Sequence, residues 1–203
     1  MGPWAYDVMY RRGAPWEIGA RSELVELVDS GVLSPTALPR AIDLGCGTGA
    51  NTVFLAERGF DVVGVDFSPV AVGKAQERAA EAGVSDRCRL VVGDLTAPDL
   101  PGIDGPFDLL VDYGTLDDLR GAGRRAMAAM ITRLARPGSR LLLWCFYGAR
   151  HELPWFTFQG PSRLWPGLEP GEEVVLFGER FEIERLPAPP PETRAACFLL
   201  TAT

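Results

Sequence analysis

The stretch DLGCGTG, Asp43 to Gly49, constrains this chain more than any other. It follows the short apolar run RAI and precedes a helix-forming segment, Asn51 to Arg58, that stops at Gly59. Gly45, Gly47 and Gly49 stand at a strand-to-helix turn, where absent side chains let a ligand approach the backbone. DVVGVD, Asp61 to Asp66, reads as the next strand. Ser68 and Pro69 then supply an N-cap and a first-turn proline for a helix reaching about Ala82, which Gly83 ends. Ala71, Ala75 and Ala79 on that helix allow close packing against a sheet. CRLVVGD, Cys88 to Asp94, is a third strand and FDLLVDYG, Phe107 to Gly114, a fourth. A helix with Leu119, Met127, Met130, Ile131 and Leu134 as apolar positions closes at Pro137-Gly138. SRLLLWCFYG is a fifth strand, continuously apolar as a buried parallel strand is.

The two ends of the chain depart from this rhythm. The first sixteen residues read as aromatic and irregular, and Arg21 to Ser30 as a helix. Residues 148–173 are rich in proline and tryptophan and have little periodicity. FEIERL and CFLLTAT, joined by the proline-rich LPAPPPE, read as a late antiparallel pair. The expected fold is α/β: a Rossmann-like, doubly wound, mostly parallel seven-stranded sheet with an antiparallel last strand. An N-terminal aromatic and helical cover and a proline-rich insertion after strand five complete it. One domain is expected over residues 1–203. Residues 1–39 form the cover, 40–147 the cofactor-binding core, 148–179 the lid and 180–203 the last two strands.

Composition narrows the partners. A formal charge of −7, with 20 Lys and Arg scattered along the chain, leaves no basic footprint for nucleic acid. Cys46, Cys88, Cys145 and Cys197 match no metal-ligand spacing and read as free thiols in a reducing compartment. No metal is expected. No charged-then-apolar leader opens the chain and no apolar run approaches about 18 residues, so a cytoplasmic protein off the membrane is expected. Monomer and homodimer both stay open.

Asp66, at the end of the second strand, is placed to accept hydrogen bonds from both ribose hydroxyls of a nucleoside. GCGTGA also satisfies the G-x-G-x-x-G/A form of a dinucleotide site. Asp43, just ahead of the glycines, separates the two. It opposes a dianionic pyrophosphate and suits a ligand carrying an ammonium and a sulfonium.

DLGCGTG followed by VDFS, GD at Gly93-Asp94 and DYG closely resembles the motif series of class I S-adenosylmethionine-dependent methyltransferases, over residues 40–147. The resemblance implies S-adenosylmethionine as cofactor and S-adenosylhomocysteine as product. It implies a cofactor site of Asp43, Gly45, Gly47, Gly49, Asp66, Phe67 on the adenine ring, Asp94 on its exocyclic amine, and Leu95. Asp112, at the end of the fourth strand, would face the sulfonium and methyl group. GAPWEIG, Gly13 to Gly19, is similar to the PW-(D/E)-x-G signature of thiopurine, thiol and halide methyltransferases, with Glu17 where aspartate is usual. There the tryptophan segment closes over the methionine moiety, which implies that Trp16, with Tyr6 and Tyr10, covers cofactor and acceptor.

The acceptor pocket is expected to draw on Tyr113, on Phe146 and Tyr147 leaving the fifth strand, and on Trp155 in an insertion that also holds Phe156, Phe158 and Trp165. His151, the single histidine, is the natural general base if one is needed, with Asp112, Tyr113, Asp117 and Asp118 as rivals. Asp117 and Asp118 also suit caps for the following helix. The expected function is methyl transfer from S-adenosylmethionine to a small, largely apolar organic acceptor, sulfur first on the lid resemblance. O-Methylation of a hydroxyl, phenol or carboxylic acid is the alternative. A non-catalytic cofactor-binding or structural partner would be the contrary class, and a cyclase or isomerase on the same cofactor fold a different enzyme class.

Overall fold

The computed structural model describes residues 3–14, 16–149, 156–157, 160–161, 167–187, 189 and 193–203, of which 3, 156–157 and 160–161 by backbone alone. The chain divides into two compact units, Met1–Leu95 and Thr96–Thr203. The first holds α1 (Pro3–Arg12), α2 (Ser22–Asp29), β1 (Arg40–Leu44), α3 (Ala50–Glu57), β2 (Asp61–Asp66), α4 (Pro69–Glu81) and β3 (Cys88–Val92). β2 lies between β1 and β3 and runs parallel to both. Ile42, Leu44, Leu55, Phe60, Val65 and Ala75 are fully or almost fully buried.

Close approach of neighbouring elements explains two glycines. Gly64 lies within β2, where a Cβ would meet Leu90 Cδ2 at 2.7 Å, Thr52 Oγ1 at 3.0 Å and Cys46 Sγ at 3.1 Å. Gly49 begins α3 at φ 80°, and a Cβ there would stand 2.8 Å from Ala75 Cβ. Ala71, Ala75 and Ala79 form the buried stripe of α4 that the sequence suggests. Ser68 is its N-cap, with Oγ accepting from Ala71 N–H, and Pro69 opens its first turn.

The second unit holds β4 (Phe107–Tyr113), α5 (Gly121–Leu134), β5 (Ala135–Phe146), two-residue strands β6 (Phe156–Thr157) and β7 (Gly160–Pro161), α6 (Glu172–Phe177), β8 (Phe181–Arg185) and β9 (Ala195–Ala202). β4 and β5 are parallel, whereas β9 is antiparallel to both β5 and β8. The late antiparallel pair is therefore present. The seven longer strands make up a mostly parallel sheet with an antiparallel last strand. Among the described residues no helix is long and apolar enough to cross a membrane.

Two local expectations need correction. The opening residues are not irregular: Pro3 to Arg12 is helical, and Tyr6, Met9 and Tyr10 pack on one side of it against α4 residues Val70 and Ala71. Tertiary packing of an i, i+3, i+4 set decides the conformation here. Pro137-Gly138 does not close the preceding helix, which ends at Leu134. The pair lies in the irregular start of β5, where Ser139 Oγ accepts from Arg136 N–H at 2.9 Å and donates to Phe107 O at 2.6 Å. The segment before β8 contains α6, a helix of six residues too short to show a period.

Gly49→Ala combines a left-handed backbone with a steric clash, and Gly83→Ala has only the former, since nothing lies within 4 Å of a Cβ there. Urea unfolding should show a loss of roughly 3 kcal/mol for Gly49→Ala and about 1 kcal/mol for Gly83→Ala.

Candidate functional site

In the first unit, the turn after β1 is held from β2. Gly45 N–H and Cys46 N–H both donate to Val65 O, at 2.8 and 2.9 Å. Asp66 continues the grip: its Oδ2 accepts from Gly47 N–H and its Oδ1 from Ser68 N–H, each at 2.9 Å. Gly45, Gly47 and Gly49 have φ of 79°, 53° and 80°, which lets successive N–H groups turn inward. An ionised carboxylate has about four acceptor positions, so Asp66 keeps capacity for ligand hydroxyls after both backbone bonds.

Asp43 is equally buried, and Thr52 Oγ1 donates to its Oδ2 at 2.6 Å. Burial pushes both carboxyls up to about 6. The Thr52 hydroxyl draws Asp43 back down, whereas the charge of Asp66 raises it. At Asp66 the Ser68 and Gly47 N–H groups oppose the rise and Asp7 adds to it. Among the described residues the charges that bear on this pair are thus negative, a polarity suited to a cation.

α1 and the segment after it lie over this turn. Tyr10 is 5% exposed, and its hydroxyl would be 3.1 Å from a Cβ on Gly47. Trp16 Nε1–H donates to that hydroxyl at 3.4 Å, the two rings meeting edge to face at 5.9 Å. Tyr6 bridges Trp16 and Phe67, with ring centroids 6.1 and 5.1 Å away. Polar ties fasten the cover to α4. Ser68 Oγ donates to Asp7, Lys74 Nζ donates to Tyr10 O, and Lys74 pairs with Glu17 at 3.8 Å. Glu17 also accepts from Ala14 N–H at 2.7 Å. The acid of GAPWEIG therefore braces its own loop.

The structure brings Tyr6, Tyr10, Trp16, Phe67, Asp66 and the three glycines together in one unit. Gly93 N–H donates to Asp66 O at 2.9 Å, which sets the Gly93-Asp94 step beside the end of β2. Asp94 is exposed and Leu95 buried.

The second unit presents the ends of β4 and β5. Asp112 is buried, and its carboxylate accepts from Thr115 N–H at 2.9 Å and Leu116 N–H at 3.1 Å, shaping the loop that leaves β4. Tyr113 and Trp144 are register partners and stack, 15° apart in plane with centroids at 6.2 Å. Trp144 meets Phe146 edge to face at 5.3 Å. Trp144 is absent from the residues expected at the site, although strand alternation places it on the same side as Phe146. Tyr147 points the other way: its hydroxyl donates to Glu173 at 3.0 Å and its ring packs on Phe198.

Asp117 and Asp118 do not cap α5, whose N-cap residue is Arg120 without a side-chain bond. Asp117 instead accepts from Phe146 N–H at 2.8 Å. Burial pushes its carboxyl up to about 6, against the Phe146 N–H and the Arg124 charge. His151, Trp155, Phe158 and Trp165 lie outside the described residues, and Phe156 is described by backbone alone. Among the described residues no His, Cys, Asp and Glu group could hold a metal.

A raised carboxyl pKa means the folded chain holds protons that the unfolded chain, near 3.9, has released. Burial of ionised Asp43 therefore opposes folding above about pH 6, and the penalty disappears as pH falls toward 4. Asp43→Asn lacks that titration. Relative to the native chain its urea midpoint should be highest near pH 7.5 and lose roughly 2–3 kcal/mol of that advantage by pH 4.

Comparison with known proteins bears on this geometry. The family model described as a methyltransferase domain matches residues 41–138. A curated relative, the 2-heptyl-1-hydroxyquinolin-4(1H)-one methyltransferase of Mycobacteroides abscessus, is 32% identical over 133 residues, covering 65% of this chain and 56% of its own. The probable chloroplastic tocopherol O-methyltransferase of Oryza sativa subsp. japonica is 33% identical over 107 residues, 51% of this chain and 28% of its own. The chain thus spans about half, or less, of the length of these relatives. Among solved structures, the N-methyltransferase NodS of Bradyrhizobium japonicum WM9, in complex with S-adenosyl-L-homocysteine, superposes with a TM-score of 0.70 at 17% identity. That match covers 98% of this chain and 97% of NodS, and it shows the fold.

Proposed function

We propose, for a chain that has the class I S-adenosylmethionine-dependent methyltransferase fold and a methyltransferase-domain match across its core, that it methylates a small organic molecule from S-adenosylmethionine. The observation that carries this reading is the buried pair Asp43 and Asp66 beside the glycine turn, where among the described residues the charge that bears on each is negative, Asp66 on Asp43 and Asp7 on Asp66. A pyrophosphate would add negative charge to that place, whereas a sulfonium and an ammonium relieve it. When bound, the cofactor supplies an electrophilic methyl group on a positively charged sulfur.

The residues divide the remaining work. The glycine turn sets its backbone, beneath Tyr10, beside the methionine part, and Asp66 has lone pairs left for ribose hydroxyls. Phe67 offers its ring to the adenine, with Asp94 and Leu95 following β3. Tyr6, Tyr10 and Trp16 keep water from the turn, and desolvation favours a displacement in which charge is lost.

The acceptor in this reading is oxygen rather than sulfur. Sulfur rests on the likeness of GAPWEIG to a thiol and halide methyltransferase signature, yet Glu17 braces Ala14 and Lys74. The two relatives named above act, by name, on a hydroxyquinolone and as a tocopherol O-methyltransferase, which supports a hydroxyl.

Calorimetry should give micromolar binding of S-adenosylhomocysteine and a loss of about tenfold or more in Asp66→Asn, whose amide cannot accept from all its present partners. With labelled-methyl S-adenosylmethionine, label should move to phenols and not to thiols. Binding of NAD in place of S-adenosylhomocysteine would refute the cofactor assignment, and label on thiols alone would refute the oxygen assignment.

A further inference from the structure

Asp117 is 1% exposed and uses one carboxylate oxygen, Oδ2, on Phe146 N–H. The other, Oδ1, is closed to solvent and has no hydrogen-bond partner among the described residues, although the residue's own backbone N–H bears on the carboxylate. A buried carboxylate oxygen left without a donor loses its hydration for nothing, which is why such atoms are uncommon and commonly mark a place for a further partner. The surroundings indicate where that partner enters. A Cβ on Gly114 would stand 3.8 Å from Asp117 Oδ1 and 3.9 Å from Trp144 Cζ3, at ordinary contact distance from both. Oδ1 and the Trp144 ring thus border the same point beside a residue that has no side chain. Trp144 is in turn stacked on Tyr113 and flanked by Phe146, so flat aromatic surface adjoins the unmet acceptor. Arg124 does not fill the role. Its guanidinium is engaged by the carbonyls of Asp117, Leu119 and Gly167 and by Glu172.

We infer that Asp117 anchors the methyl acceptor, and that the acceptor is a planar aromatic compound whose O–H or N–H donates to Asp117 Oδ1 while its ring packs on the Tyr113, Trp144 and Phe146 group. The inference rests on the methyl-transfer reading and narrows its substrate class. Open α/β sheets bind ligands outside the carboxyl ends of their strands, and the loop after β4 is such an end. A site built to accept one hydrogen discriminates steeply against an analogue that lacks it.

The test uses the full chain saturated with S-adenosylhomocysteine, titrated with 1-naphthol and 4-hydroxyquinoline and with their O-methyl ethers, followed by tryptophan fluorescence and calorimetry. The phenols should bind about tenfold or more tightly than the ethers. Asp117→Asn should bring phenol and ether to within about threefold of each other, and Trp144→Leu should weaken both together. S-Adenosylhomocysteine binding by each variant reports that it is folded, and the preference of the native chain needs no variant at all. Equal binding of phenols and ethers, binding of neither, or a preference that survives Asp117→Asn overturns the inference and would leave a buried water as the partner of Oδ1. Failure of the native chain to bind S-adenosylhomocysteine would instead overturn the methyl-transfer reading itself.

Discussion

The Asp66 carboxylate accepts one backbone N–H from each of two loops, Gly47's after β1 and Ser68's before α4, and most of the first unit is arranged around that pair of bonds. The bonds fix the glycine turn in a conformation only glycine adopts without strain. They also set the start of α4, whose N-cap hydroxyl is the atom that reaches Asp7 of the cover. Turn, helix and cover are therefore linked through a single side chain at the end of β2. Its burial is unfavourable for a charge and raises its pKa, which a cationic ligand would reverse.

The cover follows from the same chemistry. Tyr6, Tyr10 and Trp16 supply large, stiff apolar area, and each contact among them is an edge-to-face or tilted pair of the kind aromatic quadrupoles favour. Lys74, Glu17 and Asp7 add polar ties around that aromatic centre. The division of labour is clear in GAPWEIG: the indole packs and donates one hydrogen bond, and the glutamate holds the loop.

How much could be read from the residues depended on how local the determinant was. DVVGVD was legible to the residue, because a run of valines, a flanking glycine and the Ser68-Pro69 cap all act within a few positions. The glycine turn and its acids were legible because the spacing itself carries the chemistry. α1 was not, since its helicity rests on Tyr6, Met9 and Tyr10 meeting Val70 and Ala71 far along the chain. The contacts of Tyr147 were not legible for a related reason: its partners Glu173 and Phe198 come from later elements, and only strand direction shows that Trp144 takes the other side. Asp117 looked like a cap from its position before α5, and the backbone N–H it serves belongs to β5.

Proton linkage measures the central claim, that buried acids at a glycine turn receive a cation. S-Adenosylmethionine binding would be followed by calorimetry at pH 6 in two buffers of different ionisation enthalpy. Asp43 and Asp66 are half protonated there, and an incoming positive charge lowers both pKa values. The account predicts net release of a proton, up to about one per molecule bound, fading by pH 8. Proton uptake, or a binding enthalpy indifferent to the buffer, would contradict it.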